Sequence, residues 1–195
     1  MHLVKTKEVF QTLENRGSNN KILEQEGPYP CHWDNSWLGN GYYFWDTFIE
    51  NAHWWGKKVR QYTNGHIICK AECDYDTINC LDLYGELEQL KMFKEAYDLM
   101  LKNGVVDKHT TVKNFLEKLK GQTSNFSTYT AIRVNGVLSK GYNSIYAVNF
   151  LFEKDKWQYF EMVPAVQICL FKKNSLNLRN YKVVYPEYFI DGYYV

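Results

Sequence analysis

The sequence predicts an α+β fold, and three observations carry that expectation. Helical patterning falls mostly early in the chain and strand patterning mostly late. The two do not alternate regularly, which argues against a doubly wound parallel sheet. There is no internal repeat or low-complexity tract, so the 195 residues are read as a single domain spanning 1–195.

Taken in order, residues 1–5 read as a short strand. Thr6 is placed to cap a helix running to about Asn15, with Val9, Phe10 and Leu13 as its apolar stripe and Gly17 as its stop. Residues 17–37 are polar and turn-rich, through Gly17-Ser18-Asn19-Asn20 and Gly27-Pro28-Tyr29-Pro30. A long loop in that position suits a ligand cover. Tyr42 to Trp45 form a short strand, and Asp46 or Thr47 caps a helix in which Phe48, Ala52 and Trp55 recur before Gly56 ends it. Strands are expected over 66–73 and 78–83. Glu86 to Asn103 is the best helix, its stripe running Leu87, Leu90, Phe93, Tyr97, Met100 and Leu101, with Gly104 as the stop. A shorter helix covers about Val112–Lys120, and strands follow at 128–135, 144–152, 157–162, 165–171 and 182–185.

Composition narrows the functional classes. The formal net charge is +1, which gives no chain-wide field for nucleic acid or an anionic membrane. The amino terminus lacks the apolar stretch of a signal peptide, and no apolar run is long enough to cross a bilayer. A soluble, cytoplasmic protein is expected. The five cysteines are an odd number for a disulfide scaffold. Cys69, Cys73 and Cys80 lie near His66, but their spacing fits no zinc knuckle, and on a strand Cys69 and Cys73 share one face as small buried side chains. No metal is expected.

Aromatic residues are in excess at 17%, with 16 Tyr and 6 Trp. Either they fill an ordinary core and surface, or some line a cleft. Gly39-Asn40-Gly41-Tyr42-Tyr43-Phe44-Trp45-Asp46 sharpens the second option. Two glycines two residues apart permit a tight backbone path and close approach of a ligand. On the strand that follows, one tyrosine faces a cleft while its neighbour packs. A helix starting near Thr47 carries Trp54 and Trp55 back towards that strand. The product is an aromatic slot for a planar ring, or else a strand-turn-helix whose aromatics are all core.

The same run resembles the signature of the poly(ADP-ribose) polymerase-like ADP-ribosyltransferase superfamily, in its bacterial mono-ADP-ribosyltransferase-like branch. There, Gly-x-Gly-(apolar)-Tyr-Phe precedes a helix carrying Ala-x-(aromatic). Here these are Gly39, Gly41, Tyr42, Tyr43 and Phe44, then Ala52-His53-Trp54. The resemblance implies a split antiparallel β-sheet core with flanking helices. It also implies transfer of ADP-ribose from NAD, with nicotinamide leaving. Tyr43 takes the place of the tyrosine in the family's His-Tyr-Glu triad, and Trp54 that of the second stacking aromatic. Gly39 and Gly41 floor the NAD site. The strand reading His-Gly-Thr in the family maps to the amino terminus, where Thr6 meets the Thr position and the His position falls on Val4. His2 shares a strand face with Val4 and is the substitute for binding the adenosine ribose.

The acidic member of the triad maps to Gln167, in Val166-Gln167-Ile168-Cys169-Leu170, and Glu161 is the reserve. A glutamine can hydrogen-bond a ribose hydroxyl but brings no charge to an oxocarbenium-like transition state. Family members without the acid transfer a single ADP-ribose unit or are inactive. The resemblance therefore implies a mono-ADP-ribosyltransferase-like protein with NAD as co-substrate and a protein or nucleic-acid acceptor. The alternative it leaves is a catalytically inactive module that binds NAD, ADP-ribose or a protein partner. A toxin, defence or effector role, as in the bacterial branch, brings in a neutralising or regulatory partner protein and no membrane. A third reading is an unrelated aromatic-rich interaction domain. Arg133 is either a ligand for a phosphate or a solvated strand arginine, and Lys113, Lys118 and Lys120 form a solvated helix face or a nucleic-acid contact.

Overall fold

The computed structural model describes residues 4–17, 26–32, 36–122, 124–135, 145–154, 156 and 158–190. The strands are β1 (Lys5–Glu14), β2 (Tyr42–Asp46), β3 (His66–Tyr75), β4 (Cys80–Asp82), β5 (Ala131–Val134), β6 (Asn149–Leu151), β7 (Tyr159–Glu161), β8 (Gln167–Leu170) and β9 (Arg179–Tyr185). The helices are α1 (Ile49–Trp54), α2 (Leu87–Lys102), α3 (Val112–Gln122) and α4 (Ser124–Ser127). The protein is therefore α+β. One seven-stranded sheet runs in the order β4-β5-β8-β2-β1-β3-β9, and β6 pairs with β7 in a separate hairpin. Within the large sheet only β4 and β5 run parallel; its other pairings are antiparallel.

The helix expected from Thr6 is instead a strand, and it makes up nearly the whole of the longest pairing in the sheet. Strand β1 is ten residues long and pairs with β3 from Lys5–Tyr75 to Glu14–His66. Val9 and Phe10 are both buried although they point to opposite faces. A strand covered on both sides loses the alternation that betrays a strand, and its apolar positions then mimic a helical stripe. Thr6 caps no helix; its hydroxyl donates to Asp74 across the β1–β3 ladder at 3.1 Å. The long α2 and α3 helices appear close to their expected bounds, as do β3, β4 and β8.

Register assigns the faces. Tyr43, Trp45, Phe10, Cys169, Gln167 and Ile132 are aligned on one face. At one end of that face α2, α3 and α4 bury Met100, Phe115, Leu116, Leu119 and Phe126 against Leu81, Ile132 and Cys169. At the other end α1 packs Ala52 and Trp54 against Phe10, Trp45 and Ile68. The opposite face holds Val9, Phe44, Ala71, Cys73, Ile168 and Leu170, closed over by Leu176. Cys69 and Cys73 do share a buried strand face, while His66 points to the other one. Among the described residues no helix is long and apolar enough to cross a membrane.

Two local features shape the centre of this sheet. First, β1 and β2 pair only through Val9–Asp46 and Phe10–Trp45. Beyond those pairs β1 follows β3 and β2 follows β8, so the sheet splits. Second, Gly56 does not end the helix after α1. The chain continues as a π-helical turn over Trp55–Val59, and Gly56 lies against the His66 ring, where an added Cβ would meet Cγ at 2.5 Å. Asp46 and Thr47 provide no cap either: Phe48 holds that place, without a side-chain hydrogen bond.

Candidate functional site: an aromatic cavity in the split sheet

The split opens a cavity of about 490 Å³, within the usual range of small-molecule sites. Tyr43 and Trp45 of β2, Gln167 of β8 and Thr12 of β1 contribute to its wall, and Trp55 and Arg60 close it from the π-helical side. Trp37 and Ser36 border it from the segment ahead of the glycines. The expected covering loop is partly visible here, because Tyr29, Pro30 and Cys31 also line the cavity. That segment is sewn into the split. Gln11 donates to the Tyr29 carbonyl at 2.8 Å and accepts the Tyr29 N–H at 3.0 Å, and Cys31 forms a backbone bridge with Gly41.

Both glycines have a physical reason to be glycine. Gly39 has φ +91°, in the left-handed region that side chains disfavour. At Gly41 a Cβ would lie 2.6 Å from both the Cys169 sulfur and the Leu170 carbonyl oxygen. The close approach expected of this pair is therefore to the chain itself, to β8. The resulting turn fixes Tyr43, whose hydroxyl donates to the Gly39 carbonyl at 2.7 Å and accepts the Leu38 N–H at 3.0 Å. Burial raises the Tyr43 phenol far above its ordinary range, and the neighbouring Cys169 adds to that. Cys169 is itself pushed up to about 12 by burial. Tyr43 thus stays neutral, with its hydroxyl spent on the turn. Its contribution to the cavity is its ring.

Trp54 does not take the stacking position. It is buried, 5.8 Å from Trp45 in an edge-on arrangement, and is absent from the cavity wall. Trp55 lines the cavity instead, 5.6 Å from Trp45. Trp55 is the first residue of the π-helical turn and belongs to the Phe48, Ala52, Trp55 series that helical spacing groups together. Thr6 lies outside the cavity lining, at the start of β1. His2 lies outside the described residues.

Gln167 is where the family's acidic residue was expected, and it does reach the cavity. It is only 4% exposed, opposite Trp45 in the ladder. Its side-chain carbonyl oxygen is buried and has no hydrogen-bond partner among the described residues, and the Ser36 hydroxyl is in the same condition. An orphaned buried polar atom costs about 1–3 kcal/mol, which a ligand bearing N–H or O–H groups would recover. The cavity's one carboxylate among the described residues is Glu14, which accepts a hydrogen bond from Arg16 at 2.8 Å. Glu161 pairs with Asn149 in the β6–β7 hairpin, outside the cavity lining.

Arg133 is neither a phosphate ligand nor a solvated residue. It donates to Asp46 at 2.7 Å and to both oxygens of Asp82 at 3.0 and 3.1 Å. Lys7 reaches Asp46 from β1 at 3.1 Å, and Tyr75 donates to Asp82. Burial pushes the Asp82 carboxyl up, but the Tyr75 hydroxyl, the Gly85 and Tyr84 amides and Arg133 together hold it below its usual value. This cluster occupies the opposite face from Tyr43 and Trp45, and it ties β1, β2, β4 and β5 together.

Sequence reasoning missed Gln11, Thr12 and Ser36. They carry no motif and become site residues only because β1 leaves β2 after Phe10. Among the described residues, no group of three or more His, Cys, Asp or Glu side chains is placed to hold a metal ion. Comparison with known proteins finds no matching family model, no matching curated protein and no matching solved structure.

Proposed function

We propose that this chain is an ADP-ribosyltransferase-like protein that takes NAD into the cavity of its split sheet and transfers a single ADP-ribose unit to a macromolecular acceptor. The observation that carries the reading is the unpartnered Gln167 carbonyl oxygen, buried beside the rings of Tyr43, Trp45 and Trp55. A nicotinamide offers a flat ring for such walls and a carboxamide N–H for such an acceptor. The residues present fit that group: Tyr43 and Trp55 would flank the ring, and Gln167 would hold the amide or a ribose hydroxyl. Transfer would then rest on positioning, since among the described residues no free carboxylate lines the cavity beside Gln167 to balance positive charge on the ribose.

That same neutrality favours a second reading, a module that binds NAD, ADP-ribose or a protein partner without transfer. Calorimetry with NAD, followed by incubation of labelled NAD with protein and cell lysate, separates the two. Binding with label transfer and nicotinamide release supports the first reading. Binding with NAD recovered intact supports the second, and no binding of NAD or ADP-ribose overturns the first reading and the second as a nucleotide-binding module. Gln167→Met is expected to keep the fold, since it removes an orphan rather than a bonded group, and to weaken NAD binding at least tenfold.

A further inference from the structure

The sequence 145–162 leads into the β8 strand, and its β6–β7 hairpin exposes a run of large apolar side chains. Phe150 and Phe160 are directly opposed across the hairpin, at 68% and 56% exposure. Phe152 and Met162 extend the same side, at 69% and 51% exposure, and Val148 lies beside Met162. Ile145 leads in at 85%. Isolated exposed apolar residues need no explanation, but a contiguous ridge of phenylalanines does.

We propose that this ridge is a self-association surface, on which a second copy of the chain docks hairpin to hairpin about a two-fold axis. The area is of the right size. At about 200 Å² for a fully exposed side chain of this class, the ridge offers roughly 700 Å² per chain, close to the roughly 800 Å² per partner of a stable interface. The shape is self-complementary, because an antiparallel pair of phenylalanines can interleave with its own copy. The local charge also suits a like partner. Lys154 and Lys156 stand among Glu153, Asp155 and Glu161, so the segment has one acidic residue in excess, which gives little self-repulsion and no attraction for a polyanion.

Sedimentation equilibrium over a range of protein concentrations tests this. The expected result is a dimer for the wild type and at least a tenfold weaker dimer for Phe150→Ser/Phe160→Ser, with far-UV circular dichroism unchanged. Should that double variant fail to fold, Phe152→Ser alone is expected to weaken the dimer about tenfold, as loss of one aromatic anchor does. A wild type that stays monomeric throughout overturns the proposal, as does a dimer of undiminished strength in these variants. Wild-type protein that pellets with phosphatidylcholine–phosphatidylserine vesicles while the variants do not would assign the ridge to a membrane surface, and overturns it too. None of these readouts involves NAD.

Discussion

His53 Nδ1 and His66 Nε2 lie 3.2 Å apart, one imidazole donating to the other in the packed space between α1 and β3. Tyr185 stacks on His66 and meets His53 edge-on. Burial lowers the pKa of both rings. His66 falls to about 4, with His53 and Lys57 adding to the effect, while Lys57 lowers His53 further and Glu50 partly opposes it. A depressed histidine binds its proton more readily in the unfolded chain. Its contribution to stability is therefore complete above pH 6.5 and shrinks as pH falls towards 4. The melting temperature should drop through that window, by the equivalent of about 2–3 kcal/mol at its acid end. His66→Phe, which keeps a ring against Tyr185, should flatten the profile. A wild-type melting temperature constant from pH 7 to pH 4.5 would refute the assignment.

The two adjacent tryptophans should behave oppositely. Trp54→Ala removes a buried ring and is expected to cost about 3–5 kcal/mol of stability with no specific effect on a ligand. Trp55→Ala should cost far less stability but weaken NAD binding at least tenfold. Urea melts beside calorimetry measure both. If Trp54→Ala kept full stability and lost binding, the cavity wall would have been assigned to the wrong ring.

Gly41→Ala should destabilise strongly, by about 2–4 kcal/mol, because its Cβ would strike the sulfur of Cys169 and the backbone of Leu170. Gly121→Ala is the contrast. It lies in α3 with open space around its Cβ, and should stabilise by about 0.5–1 kcal/mol. Denaturant midpoints of the two variants decide the matter.

Arg133→Met leaves Asp82 buried without its cation and Asp46 with Lys7 alone. The expected loss is about 3–5 kcal/mol, well above that of removing the exposed Lys94–Asp98 pair. Arg133→Lys should recover only part, since one ammonium cannot bridge two carboxylates as a guanidinium does. Equal stability of Arg133→Met and wild type would show that the cluster is dispensable.

Much of this architecture was legible where side-chain period and burial agree. Helix α2 has one covered face, with Met92, Phe93, Ala96, Tyr97 and Met100; the expected stripe meets it at Phe93, Tyr97 and Met100, whereas Leu87, Leu90 and Leu101 are exposed. Cys69 and Cys73 read as small core residues because β3 alternates. Strand β1 was illegible for the converse reason: Val9, Phe10 and Gln11 are consecutive and all buried, a pattern compatible with either period. At the cavity, the sequence named Tyr43 and Gln167 as a pair, and both line it. The resemblance puts the second ring on Trp54, one residue short of the Trp55 that helical spacing groups with Phe48 and Ala52. The unpartnered state of the Gln167 carbonyl is a property of its surroundings, which local sequence does not carry.

The two-pair junction between β1 and β2 turns the sheet into a pair of jaws with one short fulcrum. A small rotation about Val9–Asp46 and Phe10–Trp45 moves Leu13 and Tyr42 apart by far more than it moves the junction itself. The bite of the cavity is therefore held at both ends, at the heel where Lys7 and Arg133 grip Asp46 from two sides and at the mouth where Tyr29 to Cys31 is strapped between Gln11 and Gly41. What the cavity admits depends on the stiffness of that grip as much as on the rings that line the opening.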